Sequence, residues 1–252
     1  KKCTALELSM ANTILLVFEG ERTEVRIFNK IKQLFFQNEE NTIIHASYNA
    51  EIYQLYNMIE DDPYLDIVEL LRERSDKNKL NLSGINRDNI SQIYLFFDYD
   101  NQATGATDEK IEKMLKLFNE ETENGKLFIS YPMVESLWHH NKTSDSCYET
   151  CSVPVSVIKY KEIVGEKTSF KDPKKIDRSD WNFITLQTVK KTNCIINGFH
   201  EKPEYPVFQG FNQKMIFENQ LLKFIPQKRI AVLSGIPLFI VDYFGEKFYQ
   251  TL

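Results

Sequence analysis

Two apolar runs, Thr13-Ile14-Leu15-Leu16-Val17-Phe18 and Ile93-Tyr94-Leu95-Phe96-Phe97, lack polar alternation, and each runs directly into acid, Glu19 after the first and Asp98 after the second. Continuous apolar runs of this length mark strands buried on both faces of a parallel sheet. After the first run, apolar residues at Ile27, Phe28, Ile31, Leu34 and Phe35 recur at helical spacing, which predicts a strand, turn, helix unit. Asn41 to Ser47 reads as a second short strand, helix patterns follow at 50–60 and 64–74, and a polar loop precedes Ile93. Asp108 to Thr122 is amphipathic and stops at Asn124-Gly125, Lys126 to Tyr131 reads as a fourth strand, and Pro132 stands where a new helix carrying Glu135 would open. Strands alternating with helices predict an α/β fold with a parallel sheet flanked by helices. Beyond residue 145 the strand signal fades, and helix-like patterns near 153–164, 180–197, 213–224 and 228–248 predict a mostly helical C-terminal extension.

Composition narrows the class. The 252 residues are 42% hydrophobic and 27% charged with only 9 Gly and 8 Pro, the balance of a folded chain rather than a disordered or fibrous one. The longest apolar candidate for a membrane span, Ile230 to Phe244, is interrupted by Ser234, Gly235, Pro237 and Asp242, so a cytoplasmic protein without membrane attachment is expected. Four cysteines, Cys3, Cys147, Cys151 and Cys194, are too scattered for a disulfide framework. His139, His140, Cys147 and Cys151 are zinc-competent side chains close in sequence, but their spacing fits no paired-ligand pattern. Charge is uneven, net −10 over residues 1–150 and +5 over 151–252. The basic excess is densest from Lys159 to Lys191, with Phe170 and Trp181 interspersed, which suits either a polyanion or an ordinary solvated face.

The acids at the strand ends carry the chemistry. Glu19 and Glu24 bracket a strand-to-helix turn, where carboxylates also interact favourably with the helix dipole. Asp98 and Asp100 lie two apart, so extended backbone would project both from one face, an arrangement that is electrostatically costly without a cation. Glu135 adds a third strand end. This oxygen-only set suits Mg²⁺ or Mn²⁺ more than zinc, and two such ions stabilise the attacking and leaving oxygens of a phosphodiester.

The Glu19-Gly20-Glu21-Arg22-Thr23-Glu24 segment, together with a strand ending Asp98-Tyr99-Asp100, resembles the TOPRIM fold shared by type II topoisomerases, bacterial primases, recombination mediators and a group of nucleases. Tyr131-Pro132-Met133-Val134-Glu135-Ser136-Leu137-Trp138 is similar to a segment of stand-alone RloB-like proteins. The resemblance covers residues 11–140 and divides the chain into a TOPRIM-like metal-binding domain at 11–140 and a helical extension at 145–252. It implies that Glu19, Asp98 and Asp100 hold one or two Mg²⁺ ions and that Glu24 and Glu135 support them. OLD-type nucleases of the same fold also use a lysine near the metals, for which Lys142, Lys159 and Lys167 are the candidates. The resemblance further implies a nuclease acting on tRNA or DNA, an effector of bacterial anti-phage defence, partnered by a separate ABC-type ATPase and open to oligomerisation; the chain has no Gly-x-x-x-x-Gly-Lys-Ser/Thr loop of its own.

Other readings stand beside it. Asp98-Tyr99-Asp100 superficially matches the nucleophile motif of haloacid-dehalogenase phosphatases, although Gln102 occupies the position where that motif carries Thr or Val. A non-catalytic TOPRIM scaffold is a further alternative. His139, four residues after Glu135, would share its helix face and serve as a base or phosphate contact. Tyr94, Tyr99 and Tyr131 near the strand ends read as packing.

Overall fold

The computed structural model describes residues 13–37, 42–62, 64–143, 148–170, 172 and 175–252. The first apolar run forms β1 (Thr13–Phe18), every residue of it buried, and α1 (Thr23–Phe35) follows with Ile27, Phe28, Ile31 and Phe35 turned to the core. Next come β2 (Thr42–Ser47), α2 (Ile52–Asp61), α3 (Ile67–Arg74) and α4 (Asp76–Asn81). Strand β3 (Ile90–Asp98) holds the second apolar run. After α5 (Asp108–Leu117), the two-residue β4 (Asn119–Glu120) and β5 (Gly125–Ser130) complete a five-stranded sheet in the order β2-β1-β3-β5-β4. Its first four strands in that order are parallel, and only β4 runs antiparallel to its neighbour. The fold is therefore α/β with a mostly parallel sheet flanked by helices.

Three expectations change. The amphipathic stretch to Thr122 is helical only to Leu117, because the chain turns back through β4 to pair Asn119 with Lys126. The segment after Pro132 is a 3-10 turn, Val134–Trp138, rather than an α-helix. The C-terminal part contains strand as well as helix. It runs β6 (Ser152–Pro154), α6 (Tyr160–Lys167), α7 (Arg178–Asn197), α8 (Tyr205–Gln209), α9 (Gln213–Lys223), β7 (Arg229–Ala231) and α10 (Gly235–Tyr249), with β6 and β7 forming an antiparallel ribbon.

That C-terminal part packs on the sheet. Phe239 of α10 lies against Tyr94, Phe96 and Phe128, and Phe244 lies against Phe35 and Phe36. The start of α10 abuts β5 so closely that a Cβ at Gly235 would stand 2.9 Å from Phe128 Cβ and 3.0 Å from the Ile129 carbonyl oxygen, so glycine alone permits this contact. Beyond β7, Leu233 bridges Tyr131 with hydrogen bonds in both directions, and Ser136 Oγ donates to the Leu233 carbonyl at 3.1 Å. The ribbon is thereby fixed at the carboxyl end of β5. One hydrophobic core runs through residues on both sides of position 145. Among the described residues no helix is long and apolar enough to cross a membrane.

Candidate metal centre

The chain leaves β1 for β2 on one side and later returns to place β3 on the other side of β1. Loops that depart to opposite sides open a crevice at the carboxyl ends of the strands, where ligands of open α/β sheets bind. Glu19 and Asp98 stand at this point. The Glu19 backbone N–H donates to the Phe96 carbonyl at 3.1 Å, and the Asp98 N–H donates to Glu19 Oε2 at 3.0 Å, which locks one carboxylate across the two strand ends.

Glu24 enters from the first turn of α1 and folds back over the turn. A Cβ at position 20 would stand 2.9 Å from Glu24 Oε1 and 3.0 Å from Oε2, so Gly20 makes room for the carboxylate. The backbone N–H groups of Gly20 and Glu24 steady it. Glu135 comes from the 3-10 turn after β5, placed there by the Tyr131 to Leu233 bridge and by Ser136. Asp100 lies beyond the strand, and its Oδ1 accepts from the Gln102 N–H at 2.9 Å.

Electrostatics tie the five acids together. Burial pushes the Glu19 carboxyl up to about 7, against the pull of its hydrogen bond from Asp98, and the charges of Glu24, Asp100 and Glu51 push the same way. Asp98 is held well above the usual carboxylate range by burial first, then by Glu19, Glu135 and Glu24. Glu24 is also raised, by burial and by Glu135. The structure therefore brings Glu19, Glu24, Asp98 and Glu135 into one mutually repelling cluster, with Asp100 coupled to it through Glu19.

Two contributors escape the sequence reading. Glu51, the residue before α2, adds charge beside Glu19. Lys161, in the first turn of α6, forms an ion pair with Glu135 at 3.0 Å, and that hydrogen bond with the nearby Asp98 and Glu24 raises its ammonium. The three lysines expected at this place go elsewhere or to other partners. Lys142 pairs with Asp180, Lys159 pairs with Glu162, and the structure gives Lys167 no contact with the acids. Glu21, inside the Glu-Gly-x-x-x-Glu segment, accepts from Asn49 at 2.9 Å instead.

The remaining sequence candidates part from the centre. His139 ends the 3-10 turn rather than sharing a helix face with Glu135. It is buried, with Nδ1 2.9 Å from the Tyr160 hydroxyl. Cys151 Sγ lies 3.9 Å from its ring nitrogens, Cys3 and Cys147 lie outside the described residues, and no cluster of three His, Cys, Asp or Glu with metal-holding geometry occurs among those described. Tyr94, Tyr99 and Tyr131 are buried; Tyr94 packs on Phe239, and the Tyr99 hydroxyl donates to Asp108 at 2.7 Å. Phe170 and Trp181 are also core residues, and the Lys191 ammonium is buried on the carbonyls of Tyr148, Glu149 and Cys151. The aromatic residues of the Lys159 to Lys191 segment are thus not displayed on its surface, and its Lys171 and Lys174 lie outside the described residues.

The donors are of the type a hard divalent cation takes, although among the described residues they do not stand in metal-holding geometry. They are carboxylate oxygens from three strand ends, with Lys161 the cation paired to them. Glu135 Oε2 is buried without a hydrogen-bond partner. A buried carboxylate oxygen left unpaired is costly, and a metal ion would satisfy it. No family model, curated protein or solved structure matches the chain significantly.

Proposed function

We propose that this protein is a divalent-cation-dependent nuclease, hydrolysing phosphodiester bonds of nucleic acid at the crevice between β1 and β3. The unpartnered Oε2 of Glu135, inside a desolvated cluster of carboxylates, carries this reading. Glu19, Asp98, Asp100 and Glu135 would hold Mg²⁺ or Mn²⁺, and Glu24, braced over Gly20, would support them. When bound, the ions supply charge stabilisation to the attacking and leaving oxygens and acidify a water.

The chain's own groups have distinct parts. Hydrolysis forms a bond from water oxygen to phosphorus, breaks a phosphorus–oxygen ester bond and leaves a proton on the departing oxygen. Lys161 is held protonated by Glu135, so it serves as a fixed positive charge beside the phosphoryl oxygens and not as a base. Glu19, lifted to about 7, shares a proton near neutral pH and would be one of the groups holding a cation. The walls of buried Phe18, Phe96 and Phe97 beneath the acids exclude water from one side and strengthen these charges.

The TOPRIM resemblance of Glu19 to Glu24 and Asp98 to Asp100 supports the same chemistry and extends it to an anti-phage effector regulated by a separate ATPase, with tRNA or DNA as substrate. The test is cleavage of a panel of tRNA, single-stranded DNA and duplex DNA with Mg²⁺, Mn²⁺ or EDTA, alongside Mn²⁺ titration calorimetry. Cleavage and Mn²⁺ binding that both disappear in Asp98→Asn support the nuclease. Mn²⁺ binding unchanged in Asp98→Asn refutes it, and Mn²⁺ binding without cleavage of any substrate favours a scaffold.

A further inference from the structure

The small β6–β7 ribbon stands at the same end of the molecule as the acids, because Leu233, just past β7, is bonded to Tyr131, just past β5. From β6 the chain passes through residues 155–159 into α6, whose second residue is the Lys161 that pairs with Glu135. This short connection and the ribbon beside it are unusual at three positions. Ile158 is 78% exposed, a large aliphatic side chain displayed to solvent. Lys159 adopts a left-handed conformation with φ of 62°, and Lys228, whose carbonyl accepts from the Val155 N–H at 3.1 Å, does so with φ of 56°. Left-handed backbone is unfavourable for lysine and concentrates where a site demands it. Among the described residues the third such non-glycine position is Asn49, whose N–H donates to the Glu19 carbonyl at 2.8 Å. All three therefore border the acidic crevice or the ribbon attached to it.

Cations follow the same path. Lys228, Arg229 and Lys159 are exposed on the ribbon and its loop, and Lys161 ends the path at the acids. Arg229 is braced by Ser152 through its Nε at 2.7 Å, so its charge is held in place on the ribbon. We propose that this ribbon and loop form a strand guide that delivers an unpaired polynucleotide strand to the acidic crevice, with Lys228, Arg229 and Lys159 on successive phosphates and Ile158 against a base face. This rests on the nuclease reading for the destination of the strand but not for its binding. Exposed cations beside one exposed apolar side chain suit a single strand, whose bases are open to apolar contact. A duplex buries those base faces in its own stack.

The test is fluorescence anisotropy of a labelled oligothymidylate of about 20 nucleotides, long enough for the ribbon and the crevice together, and of its duplex with oligoadenylate, in calcium and in EDTA over a salt series. Three phosphate contacts predict a slope of log affinity against log salt of about −2, and Lys228→Ala or Lys159→Ala should each reduce it by about 0.7. Ile158→Ser should weaken binding several-fold and leave the slope unchanged. These side chains are on the surface, and unchanged thermal melting of each variant verifies that the fold persists. Equal affinity for duplex and single strand, no binding, or slopes unaltered in both lysine variants overturns the guide. Metal-dependent cleavage with KM unchanged in the variants overturns the guide but spares the nuclease. Single-strand binding with the expected slopes and no cleavage in any metal sinks the nuclease and spares the guide.

Discussion

Replacing Glu19 with Gln should make the metal-free protein more stable, in a way that depends on pH. Below pH 4.5 the carboxyl is protonated in both folded and unfolded chains and the substitution is neutral in charge. Between 4.5 and about 7 the unfolded chain releases its proton while the folded one retains it, so stability falls as pH rises. Above about 7 the cost of holding the charged carboxylate is fully present. A rise from 4.5 to about 7 corresponds to roughly 3 kcal/mol at about 1.4 kcal/mol per pH unit. The carboxamide oxygen still accepts the Asp98 N–H, now 3.0 Å from Oε2, so that hydrogen bond survives in weaker form. A gain of about 1–3 kcal/mol at about pH 8 remains, worth roughly 3–8 °C in melting temperature for a chain of this size. Melting of wild type and Glu19→Gln in EDTA at about pH 4 and pH 8 reads it directly. Saturating Mn²⁺ should then reverse the order, because an ion at 100 times its Kd adds about 2.7 kcal/mol to the protein that binds it. A Glu19→Gln protein less stable than wild type at the higher pH, or a gain equal at both, would refute the account of a strained acidic centre.

On the nuclease reading, Lys161→Ala should lower kcat by about 10²–10³ while Mn²⁺ binds no less tightly, since the ammonium would compete with an ion for Glu135; single-turnover cleavage and calorimetry measure the two separately. Gly20→Ala should fold normally but push the Glu24 carboxylate off the turn, weakening Mn²⁺ binding about tenfold by calorimetry. Lys191→Met should cost about 1–3 kcal/mol in urea unfolding, because three carbonyls, at 2.9, 2.6 and 3.1 Å from the ammonium, each lose a charged donor, while those of Tyr148 and Cys151 keep a backbone one.

The sheet was legible where burial is complete. β1 after Thr13 and β3 from Ile93 to Phe97 are continuously apolar because both faces are covered there, and the acids at their ends stand out against that background. β4 was not legible. Its two residues follow Phe118, which continues the apolar stripe of α5, so helical periodicity runs past the point where the chain turns back. β6 and β7 have three residues each, too few to display alternation, and their pairing is set by contacts some 77 residues apart. Among the acids, Glu51 looked like an ordinary residue before a helix. Lys161 did leave one trace. A lysine in a first helical turn opposes the helix dipole, and such a local conflict is a common sign of a position chosen for something other than helix stability.

The pairing of Tyr131 with Leu233 also sets a schedule for synthesis. All five acids are translated by residue 135, yet the turn that holds Glu135 is fixed by a carbonyl about 100 residues later, and α10 closes over β5 later still. A chain emerging from the ribosome therefore carries all five acids well before it can hold them in register. If the crevice cuts nucleic acid, the surrounding ribosomal RNA would face only the unfinished form, and the long-range closure would act as a built-in delay on that cleavage.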